Sequence, residues 1–272
     1  MKFLKQIILI LIVFFKTGNL LSDNNLFSVN NIMLEKKADT ASEQLANQAI
    51  KKAFNRLAER VLMKEDIPKV INLKFSNIKE LVSYYNISKN LDGKNNKIIF
   101  NVTFDKDKIH DLFYKKEILY SDITNKEFFV LPILLKENEI FIFSKNYFYD
   151  NWNSIEKEEL VEFLLPLENI EIIQSVNKSI NSLLDIELNS LFKEYVDKNI
   201  AIVLIEDSNR KEENIYLKAR IENKVILKNF KLKKNNFEKI QFNKKIISKM
   251  KDEIINIVKS QNLIDISTPA FL

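Results

Sequence analysis

Apolar residues recur at helical spacing from Thr40 to Lys64, TASEQLANQAIKKAFNRLAERVLMK, where Leu45, Ala46, Ala49, Ile50, Ala53, Phe54, Leu57 and Val61 share about half of the circumference. Thr40 followed by Glu43 is a capping box for its first turn. The alanines let a neighbouring layer approach closely, so this stretch predicts a long helix lying across a sheet. Upstream, LFSVNNIML from Leu26 to Leu34 reads as a strand. Downstream, Pro68 marks a break, and Ser76 to Leu81 predicts a short helix capped by Ser76 with Glu80 in its first turn. YYNISKNL and KIIFNVTF then flank Asp92-Gly93 as a hairpin. Asp105 follows as the cap of a helix over Lys106 to Lys116, with Ile109, Leu112 and Phe113 on one side. The order β, α, β, β, α describes a small α/β sandwich.

A polar connection, Leu119 to Lys126, separates this half from a second. There FFVLPILL and IFIF flank Lys136 to Glu139 as another hairpin, with Pro132 placing the first of these strands at an edge or in a bulge. Ser154 predicts a helix ending before Pro166, IEIIQSV a strand, and Asn177 to Asp197 a helix with Ile180, Leu184, Leu188, Leu191 and Tyr195 in register. IAIVLIE, Ile200 to Glu206, is apolar at successive positions and predicts a central buried strand. IYLKARI and VILKNFKL pair around Glu222-Asn223, and a last helix runs from Asn243 to Gln261 with Ile247, Met250, Ile254, Ile257 and Val258 on one stripe. The expected fold class is α/β of the α+β type. It comprises two packed small α/β sandwich domains with mixed or antiparallel sheets, residues 23–125 and 126–272.

Residues 1–22 differ in kind. Lys2 and Lys5 precede an unbroken apolar run, Ile7 to Phe15, and then KTGNLLS. Nine apolar residues suit a secretory signal better than a membrane span, with cleavage expected after Ser22. The remainder is therefore expected in a bacterial periplasm, or held at the inner membrane if the leader is retained.

Composition then narrows the chemistry. The 272 residues are 46% hydrophobic, enough for a substantial core. The formal charge of +5 owes three of its units to the lysines of residues 1–22, a stretch without an acid. No concentrated basic face stands out from this balance, so neither nucleic acid nor nucleotide is expected as a partner. Without cysteine, thiolate catalysis, disulfides and Cys-based zinc sites are excluded. The only glycines, Gly18 and Gly93, are too few for a Walker loop, a dinucleotide fingerprint or a nucleophile elbow. His110 alone makes no multi-histidine metal site, and it reads as a solvated helix flank. No metal or cofactor is expected. Asp105, Asp107, Asp122, Asp150 and Glu158 leave a carboxylate-based cell-wall hydrolase open.

Two features single out residues for binding. Only four of the 42 basic residues are arginine, yet Arg56 and Arg60 stand four apart on the long helix, at or within its apolar arc. The guanidinium fork suits a bidentate contact that lysine cannot make, either an ion pair or a ligand. Tyr147, Phe148, Tyr149 and Trp152 form the densest aromatic cluster, a core or seam if buried and an anchor for protein or glycan if exposed.

The helix AIKKAFNRLAERVL, the segment FNVTFDKDKI, and FFVLPILL followed by NYFYDNW together resemble a proteobacterial exported family known as a domain of unknown function (DUF 2066). The resemblance spans Phe27 to Trp152. It implies an envelope protein and supplies no active site. The expected function is thus a non-catalytic periplasmic interaction or accessory module whose partner is an envelope protein or a cell-wall component. The alternatives are the carboxylate hydrolase and an inner-membrane-anchored scaffold.

Overall fold

A computed structural model describes residues 26–35, 41–89, 97–122, 126–155, 160–179, 182–208, 211–222, 224–234 and 237–264. The leader, the Thr40 cap, the Asp92-Gly93 turn and Glu158 lie outside these. The fold is α+β, with helices and two sheets that divide between two compact units, residues 1–58 with 71–115 and residues 59–70 with 116–272. The second unit thus begins ten residues before the expected boundary and also takes in the segment after the long helix. The reason is local: Ser121 N donates to Val61 O at 2.9 Å, and Leu62 bridges Tyr120.

In the first unit β1 (Ser28–Glu35), β2 (Val82–Lys89) and β3 (Lys97–Phe104) form an antiparallel sheet in the order β1-β3-β2. Helix α1 (Ser42–Val61) buries the face its periodicity marks, Ala49, Ala53 and Leu57 being fully enclosed. The Phe54 ring meets Phe104 of β3 edge-on at 6.0 Å. The opposite face of the sheet is tied by polar groups. Ser28 and Thr103 share a hydroxyl bond of 2.9 Å. Asn101 donates to Asn86 at 2.9 Å and accepts from the Asn31 amide at 2.9 Å. Asn31 adopts φ 57°, where β1 bulges between Val29 and Ile32. After the short α2 (Ile67–Ile71), α3 (Phe75–Glu80) starts one residue earlier than expected. The Ser76 hydroxyl donates to Asn77 and caps nothing. At α4 (Lys106–Lys115) the expectation is met, because Asp105 Oδ1 accepts from the amides of Asp107 and Lys108.

The second unit is built on a mixed sheet in the order β5-β4-β7-β8-β9, with β6 also parallel to β4. The strands are β4 (Lys126–Lys136), β5 (Glu139–Phe141), β6 (Val161–Leu164), β7 (Asn199–Asp207), β8 (Glu212–Ile221) and β9 (Lys224–Lys233). The apolar run Ile200 to Ile205 is central, as expected, and buried on both faces. On one face Ile200, Ile202 and Leu204 join Ile172, Val176, Leu188, Leu191 and Phe192 in a single cluster. The other face carries α8 (Lys239–Gln261): Lys228 of β9 binds Glu253, and Lys249 lies over the Phe230 ring.

Four expectations are corrected here. Pro132 lies in an interior strand, flanked by β7 along its length. On the other side β6 pairs residues 126–129 and β5 pairs residues 134–136, so Pro132 occupies the gap between them. Asn146 fills that gap by donating to Pro132 O at 2.9 Å. Residues 161–164, expected as helix, form β6, because the β-branched and aromatic VEFL finds an open edge beside β4. IEIIQSV, expected as strand, is helix α6 (Ile170–Lys178), capped by Asn169 and burying Ile172 and Val176 four apart. The helix expected over Asn177 to Asp197 is broken. Asn177 and Lys178 close α6, and the other described parts are turns, the four-residue α7 (Leu188–Leu191) and a 3₁₀ turn at Lys193–Tyr195. The cause is electrostatic. Lys218 on β8 draws the carbonyls of Leu184 and Ile186, and Arg220 draws those of Tyr195 and Lys198. Those carbonyls are thereby directed to the sheet face.

Candidate functional site

Arg56 and Arg60 stem from one helix but fall in different units, and both are half-buried. Arg60 borders a cleft of about 350 Å³ in the second unit. Lys64, Asp252 and Asn256 supply further polar groups, with Ile67 and Ile255 between them. Lys259 also borders this cleft, but its ammonium donates to the carbonyls of Glu59 and Leu62, which close the end of α1. Cations and carboxylates are mixed on the walls, so the cleft selects neither sign of ligand strongly.

The aromatic cluster is anchored by Asn146, a fully buried side chain that caps α5 (Tyr147–Asn151) through its oxygen. Its amide nitrogen donates to the carbonyls of Pro132, Phe141 and Ile142. Trp152 has no exposed surface and meets Phe163 edge-on at 6.4 Å. Tyr149 is half-buried, stands edge-on to Phe143 and donates its hydroxyl to Pro166 O at 2.8 Å. Burial, followed by the charges of Glu168 and Asp150, raises its pKa. Tyr147 is half-buried against Phe148. The cluster therefore packs inside the second unit, and its tryptophan offers no face to a partner.

Among the single carboxylates, Asp105 is a helix cap, and Asp107, Asp122 and Asp150 are exposed. His110 is half-buried on α4. Among the described residues no group of carboxylates and histidine has a metal-binding arrangement.

The structure assembles a polar group that sequence reasoning missed. Asp207 at the end of β7 and Glu213 at the start of β8 place their carboxyl groups beside each other around Lys234. Lys234 reaches Glu213 at 2.9 Å and Asp207 at 3.8 Å, while Lys239 reaches Asp207 at 3.1 Å. Burial pushes the Glu213 pKa up, and the neighbouring Asp207 charge adds to this against the pull of Lys234. Burial also acts on Asp207, but its bonds to Lys239 and Glu213 and the two lysine charges outweigh it and hold the carboxyl low. Divergent carboxyl pKa values are one mark of acid–base catalysis. Here Glu213 is enclosed and lysines occupy both carboxyls, with no room for water and a glycosidic oxygen between them. The group is a clamp that fastens the start of α8 to the β7–β8 hairpin. Extending the β7–β8 pairing by one position would have juxtaposed Asp207 and Glu213, but the sequence reading began the second strand only at Ile215.

Three of the large exposed apolar residues of the first unit lie on β2, the others being Met33 on β1 and Tyr114 on α4. Tyr84, Tyr85 and Ile87 are 59%, 45% and 48% exposed, and residues 82–88 carry no charge. Both outer strands of this sheet carry a bulge, β1 between Val29 and Ile32 and β2 between Val82 and Tyr84, while the outer strand β9 of the second sheet carries lysine at positions 224, 228, 231 and 233.

No family model matches the chain. No curated protein matches it either. A solved structure described as that of an uncharacterized protein aligns over 51% of this chain and 93% of its own, at 7% identity and a TM-score of 0.20. A likeness that low carries no argument.

Proposed function

We propose that the chain is an exported, non-catalytic accessory module of the cell envelope that binds another envelope protein through the outer edge of β2. One observation carries this reading: beyond its bulge between Val82 and Tyr84, the outer edge of β2 from Tyr84 to Ser88 carries neither lysine nor proline. Folded proteins blunt such edges with lysine, proline or a bulge, because unpaired amides and carbonyls otherwise recruit another strand. β9 is blunted by its lysines, whereas β2 presents uncharged Tyr84–Ser88 with three large exposed side chains. Pairing through the backbone with side-chain pockets on alternate positions is an established mode of peptide capture. Export is motivated by residues 1–22, and the resemblance to the DUF 2066 family is in keeping with an envelope role.

The test is affinity capture from envelope fractions with the wild-type chain and with Tyr84→Lys/Ile87→Lys. One stoichiometric partner recovered by the wild type and lost in the variant is the expected result. No partner, or equal recovery by both, overturns the reading. Cell fractionation checks the location, with release by osmotic shock expected for a cleaved leader and membrane retention for an anchored scaffold.

A further inference from the structure

The near balance of 42 basic and 37 acidic residues hides one strong local excess. From Lys224 to Lys249 there are nine lysines and a single acid, Glu238. A general lysine habit would enrich lysine here without removing the acids, so the imbalance belongs to this surface. The structure uses some of these charges internally: Lys228 and Lys249 bind Glu253, and Lys234 and Lys239 bind Asp207. Lys244 and Lys245 are exposed on the first half of α8.

Beside them lie two apolar side chains where water should disfavour them. Phe237 is 43% exposed and Ile240 is 59% exposed. The Lys245 ammonium stands 4.6 Å from the centre of the Phe237 ring, and Ile240 and Lys244 are neighbours at four-residue spacing on the helix. The helix start adds to the positive potential. Its first turn has no acid and no side-chain cap, with Glu238 preceding it at the N-cap position and Lys239 held by Asp207.

We infer that the start of α8, with Phe237, is a contact surface for anionic phospholipid. Phe237 and Ile240 enter the headgroup boundary while Lys244 and Lys245 lie against phosphates, the division of labour of interfacial helices. A nucleic acid fits less well, since Ile240 offers neither stacking nor a hydrogen bond and residues 224–249 contain no arginine. This contact is separate from the leader and does not depend on β2 binding a protein.

The full chain is tested by co-sedimentation with vesicles of phosphatidylcholine alone and of phosphatidylcholine with phosphatidylglycerol. The wild type is expected to bind the second and not the first, and to be released by high salt. At roughly fivefold per lysine, Lys244→Gln/Lys245→Gln is expected to weaken binding by about 25-fold. Phe237→Ser/Ile240→Ser is expected to weaken it as well while leaving salt sensitivity in what remains. Any contribution of residues 1–22 is common to all variants, and melting temperatures confirm that these exposed substitutions leave the fold intact. Vesicle binding unchanged in both double variants overturns the inference. So does an absence of wild-type binding to vesicles containing phosphatidylglycerol, with or without retention of single-stranded DNA.

Discussion

The ammonium of Lys259 lies 3.0 Å from the carbonyl oxygen of Leu62, a residue 197 positions earlier in the chain. It also binds Glu59 O, so a cation only 3% exposed closes the carbonyl end of α1. Hydrogen bonds from a charged donor stabilise by about 1.5–3 kcal/mol. Lys259→Met keeps most of the side-chain volume but removes the donor, and is expected to lower the unfolding free energy by about 2 kcal/mol. Urea titration followed by circular dichroism measures this. An unchanged midpoint would mean that water serves these carbonyls equally well.

Asn146 is a stricter case, because its donors and its acceptor are both used where water is absent. Asn146→Ala leaves three carbonyls and the first amides of α5 without their partner, at a cost of about 3 kcal/mol. Asn146→Asp is expected to be worse than alanine at neutral pH, since a carboxylate oxygen would face the carbonyls of Pro132 and Ile142. Mild acid should restore part of the difference in the melting temperature.

Arg220 holds the irregular segment 182–198 to the sheet by bonds to Asn189 Oδ1, Tyr195 O and Lys198 O. A single ammonium cannot span three acceptors set around a planar fork. Arg220→Lys is therefore expected to leave β7 and β8 intact but to speed limited proteolysis within residues 182–198. Equal cleavage rates in the two proteins would count against this tether.

The acid limb of stability has an identified contributor. Burial would raise the Glu253 carboxyl, but the bonds and charges of Lys249 and Lys228 outweigh it and lower the pKa from the ordinary 4.5. A carboxyl lowered on folding stabilises the protein above its unfolded pKa, and this contribution disappears as pH falls through the lower folded value. Asp207 acts in the same direction. Glu213 is raised, so its contribution is complete at low pH and is lost as pH rises through its folded value. Glu253→Gln is expected to flatten the fall of melting temperature below about pH 4.5. An acid limb as steep as that of the wild type would remove Glu253 from the account.

The sandwich of the first unit was legible because its signals are local and agree with one another. α1 shows periodicity over five turns, Asp105 caps α4, and β2 and β3 are consecutive antiparallel strands. In the second unit the run from Ile200 to Ile205 was equally plain, since a strand covered on both faces must be apolar throughout. The failures fall where two readings compete. IEIIQSV satisfies both the strand preference of β-branched residues and a four-residue helical spacing, and the sheet face it covers decides for the helix. Residues 182–195 have helical spacing, but Lys218 and Arg220, far ahead in sequence, direct the carbonyls a helix would need.

By itself the sequence determined the α+β class, the central strand, the buried face of α1 and the chemistries that cysteine and glycine would have to supply. Each of these depends on composition or on residues within a few positions of one another. Only the tertiary structure decided that Trp152 is core, that Arg56 and Arg60 belong to different units, that Asp207 meets Glu213, and that Phe237 and Ile240 remain exposed among lysines. Those relationships are set by which strand lies beside which, and long-range pairing leaves little trace in the local pattern of any one segment.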